Sequence, residues 1–178
     1  MNHTMRILSG FLMGAAAGMA DAQIIGGELE PMAAAFEQVA ANEAPSPIAA
    51  KIASQYAHLA GSEDNAIALV KALHVGAPVK LTTAEGASGG DMPDVTTIEP
   101  PTGKMGWTDV KFALVIVQGI LYRAGITRPT GEQLQAALTG GELRRNDGSV
   151  LELKGVLQMR ADGMGWKQIA SRTTGKTG

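Results

Sequence analysis

The stretch from Pro100 to Gly125 constrains this chain more than any other. It has an opening, Pro-Pro-Thr-Gly-Lys-Met-Gly-Trp107, an apolar body, and a stop at Gly125. At 100° per residue, Val110, Phe112, Ala113, Leu114, Ile116, Val117, Gly119, Ile120, Leu121 and Ala124 spread over more than half of a helical circumference. Lys111, Gln118 and Tyr122 gather into one narrow polar stripe. A helix that is apolar on most sides is a buried helix. The unbroken apolar run, Phe112 to Val117, is far shorter than the roughly 20 residues that span a bilayer. The reading is therefore a central helix, about Trp107 to Ala124, inside one domain.

What flanks that helix sets the fold class. Ser46-Pro47 places a capping hydroxyl before a proline at the first helical position. Ile48, Ala49, Ile52, Ala53, Tyr56 and Leu59 then share one face, opposite Lys51, Ser54 and His58. Gly61 stops that helix, and Ser62 caps a second, with Glu63 and Asp64 in its first turn, where the helix dipole favours acids. Pro78 to Thr83 and Asp94 to Ile98 alternate and are β-branched, so they read as paired strands around a Gly-rich tip, Glu85 to Asp91. After the central helix, Thr130-Gly-Glu-Gln133 is a capping box. Asn146-Asp147-Gly148 is a hairpin turn between Glu142–Arg145 and Ser149–Leu151. Helices follow at Lys154 to Ala161 and at Trp166 to Arg172. The expected class is α+β: a mostly helical core around one central apolar helix, with two small antiparallel β-hairpins.

The N-terminus reads as a secretory signal over residues 1–22. Arg6 supplies the positive region, Ile7 to Met19 the apolar one, and Ala20-Asp21-Ala22 the small-x-small cleavage site. Cleavage after Ala22 places the chain in the periplasm or outside the cell. It leaves a flexible arm at 23–45, a single globular domain at 46–172 and a loose tail at 173–178. No stable membrane span is expected after cleavage. The chain has no Cys, so its core holds without disulfides and thiol chemistry is excluded. Removing the signal takes away one base, Arg6, and one acid, Asp21, so the formal net charge stays at −2. That charge offers nothing to a nucleic acid.

Several constellations have the outline of a chemical motif. Ala170 to Thr177 fits the loosest phosphate-loop pattern, but no strand precedes it and there is little chain left for the helix that should follow. Met159 to Thr174 looks like the first half of a helix-turn-helix without a recognition helix. His58 and His74 lie on different helices without a clustered third ligand, and both read as surface histidines. Glu63-Asp64 diverge by 100° and are explained by the dipole. No catalytic residue, metal site or cofactor is expected. Both Trp of the chain lie in a repeated Met-Gly-Trp, at 105–107 and 164–166. The repeat reads as a helix-opening device: glycine turns the chain, and the indole, mostly buried, packs under the turn. Ligand-binding candidates are Trp107 and Trp166 as stacking platforms, and Lys111, Gln118 and Tyr122 as a polar groove.

Some of these segments carry a resemblance: Ala60-Gly-Ser-Glu-Asp-Asn65 with Ala68-Leu-Val70, Pro100-Pro-Thr-Gly-Lys-Met-Gly106, Ile126-Thr-Arg-Pro129 with Glu132-Gln-Leu134, and Gly155-Val-Leu157 with Gly163-Met-Gly-Trp166. In this order, from about Ser46 to Ala170, the chain resembles small exported proteins of Gram-negative bacteria that carry no assigned function. The resemblance implies export and one compact domain. Ser171-Arg-Thr-Thr174 is more polar than such a helix would lead one to expect. The expected function is a non-catalytic envelope module, structural or partner-binding, whose partner is an envelope protein or a cell-wall component. The alternative is a cell-wall or glycan-acting enzyme whose site assembles only in three dimensions.

Overall fold

A computed structural model of the chain describes residues 45–83 and 94–174. The expected signal, the arm up to residue 44, the tip between the first two strands and the last four residues lie outside the described residues. Pro45, expected to end the arm, instead opens the first helix, one residue before the expected Ser46 cap. The elements run α1 (Pro45–Ala60), α2 (Glu63–Val75), β1 (Val79–Thr83), β2 (Asp94–Ile98), α3 (Trp107–Arg123), α4 (Gly131–Thr139), β3 (Gly141–Arg144), β4 (Val150–Leu153), α5 (Val156–Ala161) and α6 (Trp166–Thr174). The fold is α+β, a helical core carrying two antiparallel two-stranded ribbons.

The central helix is α3. Val110, Ala113, Leu114, Ile116, Val117 and Leu121 are fully buried in it, and α1, α2, α4, α5 and α6 all pack against it. It closes with a Schellman motif: Ile126 N–H donates to Leu121 O, Gly125 N–H donates to Tyr122 O, and Gly125 adopts φ 75°. Leu121 and Ile126, the apolar pair that accompanies such a cap, are both buried.

Caps fix the neighbouring helices. Ser62 Oγ accepts from Asn65 N–H at the start of α2. Thr130 and Gln133 make the reciprocal capping box that opens α4. α1 bends at Tyr56 (φ −118°, ψ 15°), a break that the periodicity does not announce. α6 runs to Thr174, two residues past the expected end. The hydroxyls of its polar end turn back onto the helix: Thr173 Oγ1 donates to the carbonyls of Ile169 and Ala170.

The ribbons pair in single registers, Leu81 opposite Thr96 in the first and Leu143 opposite Leu151 in the second. Side-chain amides cover parts of their edges. Asn65 pairs with the backbone of Thr82 through both amide atoms, as a further strand would. Gln135 donates to Thr97 O and Gln133 to Arg144 O. An edge whose backbone groups are already bonded does not template pairing with another chain.

Candidate functional site

The chain between β2 and α3 lies against the C-terminus of α2. Gly76 adopts φ 72°, and its N–H and that of Ala77 both donate to Ala72 O. A Cβ on Gly76 would stand 2.6 Å from Gly103 C, so only glycine lets the two backbones approach. Two hydrogen bonds fasten the contact: Met105 N–H donates to His74 O (3.1 Å), and His74 Nδ1 donates to Met105 O (2.7 Å). The second bond fixes the proton on Nδ1 and turns the imidazole flat against Trp107. The ring centroids are 3.7 Å apart and the planes 13° from parallel.

This stack forms one wall of an open pocket of about 490 Å³. Its floor is the outer face of α2: Ala68, Lys71, Ala72 and Val75, spaced i, i+3, i+4, i+7. Ala66, Leu69, Val70 and Leu73, which α2 buries in the core, lie on the opposite side of the helix, and Ala72, buried as well, stands between the two faces. Ala77, Pro78 and Val79 complete the lining. Val75 stands exposed at 58%. Lys71 is the lysine of the lining and, among the described residues, makes no ion pair.

The candidates from sequence do not assemble into one site. Trp107 lines the pocket. Tyr122 lies fifteen residues further along α3, a rise of about 22 Å, and is exposed. Gln118 is half-buried and its Nε2 lies 3.1 Å from His58 Nε2. Lys111 is half-buried on the same stripe. Trp166 belongs to a separate cluster. Its indole N–H donates to the Asp109 carboxylate, Phe112 tilts against it with ring centroids 6.1 Å apart, and the Arg160 guanidinium lies 5.0 Å above its ring. Among the described residues, no group of three or more His, Asp or Glu could hold a metal ion.

Two expectations need correction. Gly106 and Gly165 do precede helices, but neither is a steric hinge. Gly106 has φ −64° and ψ 158°, open to any residue, and Gly165 has no left-handed φ. A Cβ at either would meet nothing closer than a side-chain oxygen at 3.8 Å. Second, His74 is not a solvated surface histidine but a half-buried ring held on both sides. No local signal marks it, because its partners Met105 and Trp107 are about thirty residues away in the chain. The two indoles are mostly buried against the core, as expected, with part of each at the surface.

No family model matches this chain, nor does any curated protein or solved structure match it.

Proposed function

We propose that this chain is a non-catalytic binding module of the bacterial envelope, and that the pocket between α2 and Trp107 is its recognition surface. The observation that carries the reading is the wall of that pocket. A flat aromatic stack, fixed by hydrogen bonds and close backbone packing, faces a stripe of small apolar side chains. A pre-formed apolar surface with few polar groups grips a partner without ordering itself first. The sequence of residues 1–22 and the resemblance to small exported proteins point to the envelope as the compartment.

Two experiments test the reading. A photoreactive amino acid at Val75, on the pocket, is compared in the producing cell with one at Val150, exposed on β4. A discrete adduct at Val75 that is absent at Val150, and lost when Ala68→Met fills the floor, is the expected result. Equal labelling at both positions, or none at Val75, refutes the pocket as recognition surface. Export is tested by the intact mass of the protein in fractionated cells. A mature chain beginning at Gln23 is expected, and a full-length cytoplasmic chain overturns the assignment.

A further inference from the structure

The geometry points to a small aliphatic carboxylate as the ligand of this pocket, an inference that rests on the pocket being the recognition surface. The walls take an apolar body: the methyls of Ala68 and Ala72, Val75, the Pro78 ring and the face of α2 beside Trp107. Charge is supplied at one place. Lys71 and His74 are three residues apart on α2, so both side chains reach the same rim. Lys71 has no carboxylate partner among the described residues. His74 has its N–H on Met105 O, so Nε2 of the neutral ring is an acceptor and gives a carboxylate nothing. The ring shapes the rim, and the anion contact rests on the Lys71 ammonium.

A helix C-terminus ordinarily repels an anion. Here two of the four terminal carbonyls already accept hydrogen bonds: Ala72 O from Gly76 and Ala77, and His74 O from Met105. The acids of α2, Glu63 and Asp64, sit in its first turn, about 10 Å along the axis from Lys71. An apolar body seated on the alanines would therefore place an anionic end beside the Lys71 ammonium, with no acid of the same helix near it. A free aliphatic acid and the C-terminus of an apolar peptide both present this chemistry.

The chain holds two Trp, so an amide correlation spectrum of the full ¹⁵N-labelled chain carries two indole N–H signals, assigned with Trp107→Phe. The probes are octanoate, 1-octanol, and N-acetyl-Val-Leu as acid and as amide. Either acid should shift the Trp107 signal saturably and leave that of Trp166 in place, while the alcohol and the amide bind more weakly. The tighter of the two acids identifies the source. Lys71 is exposed, so Lys71→Gln should fold normally; it should weaken the acids about tenfold, the value of one charge-assisted hydrogen bond, and leave the alcohol unchanged. Failure of both acids to move the Trp107 signal, or equal affinity in Lys71→Gln, overturns the inference. A Val75 adduct in the cell alongside such a failure would refute the ligand class and keep the pocket. Loss of both would refute the pocket itself.

Discussion

The indole N–H of Trp166, the first residue of α6, donates to the carboxylate of Asp109, in the first turn of α3. The second Met-Gly-Trp segment is thus docked, through its indole, on the helix that the first one opens. Arg160 joins them, its guanidinium over the Trp166 ring and 4.0 Å from Asp109. Trp166→Phe keeps the packing on Phe112 but removes the donor, and should lower stability by about 1–2 kcal/mol. Asp109→Asn retains an acceptor and should cost less than Asp109→Leu. Chemical denaturation of the three variants checks the order; equal stability of Asp109→Leu and the parent would show that the contact contributes nothing.

Gly131 and Thr96 make a second long-range constraint. A Cβ at Gly131 would lie 2.1 Å from Thr96 Oγ1 and 2.6 Å from its Cβ. Both residues are buried where β2 meets α4. Gly131→Ala should therefore destabilise by about 1–3 kcal/mol, the range for overpacking, although alanine is the better helix former. A thermal melt at or above that of the parent would mean that the helix and the ribbon do not touch there.

The central helix gives the plainest test. Val117 is fully buried and Tyr122, on the same helix, is 52% exposed. Val117→Asp places an unpaired charge in the core and should unfold the domain. Tyr122→Asp should melt within about 0.5 kcal/mol of the parent, as exposed substitutions do. Circular dichroism melts of the pair decide it, and a folded Val117→Asp would refute the burial of α3.

Much of this architecture is legible in the sequence because its signals are local. The capping box of Thr130 and Gln133, the Ser62 cap, the Gly125 stop and the Asn146-Asp147-Gly148 turn each lie within a few residues of the backbone groups they satisfy. The apolar spread of Val110 to Leu121 gives the central helix for the same reason. The pocket is not legible, because its floor and its wall come from segments about thirty residues apart. Helical spacing alone turns Ala68, Lys71 and Val75 away from the buried face of Ala66, Leu69, Val70 and Leu73. It does not show that the His74–Trp107 stack stands beside them. The edge-capping amides of Asn65 and Gln135 escape for a similar reason, since their partners Thr82 and Thr97 are distant in the chain.

The β3–β4 turn should be sensitive to acid. Asp147 Oδ1 accepts from Ser149 Oγ (2.6 Å) and from Ser149 N–H (2.9 Å). The Ser149 hydroxyl, then its backbone N–H, hold the carboxyl below the ordinary aspartate value, with Arg145 adding to the effect. A carboxyl lowered in the folded state contributes stability above its unfolded value and loses it as pH falls through the folded one. The turn should therefore tighten above the ordinary aspartate range and loosen in acid below it. Carboxyl titration by NMR should place the Asp147 midpoint low, and Ser149→Ala should raise it. An unchanged midpoint in Ser149→Ala would exclude the hydroxyl as the cause.

The glycines part the sequence reading from the structure, and they can be tested against each other. The Met-Gly-Trp repeat suggests that Gly106 is needed for a sharp turn. Yet its φ and ψ, −64° and 158°, are close to those of Thr130, −72° and 167°, a working N-cap with a side chain. Nothing lies within reach of a Cβ there except Asp109 Oδ2 at 3.8 Å, and α3 has no side-chain cap. Gly106→Ser supplies one and should be neutral or stabilising by a few tenths of a kcal/mol, about the difference between glycine and serine at this position. Gly76 is the opposite case. It has φ 72°, and a Cβ would sit 2.6 Å from Gly103 C and 2.9 Å from Gly103 O. Gly76→Ala must bear a left-handed backbone and push the 103–105 segment off α2, so it should cost at least about 2 kcal/mol. It should also disturb the Trp107 indole signal, because that segment carries the Met105 carbonyl that orients His74. If Gly106→Ser is the more damaging of the two, the repeat is a steric hinge after all, and the anchor of the pocket wall lies elsewhere than at Gly76.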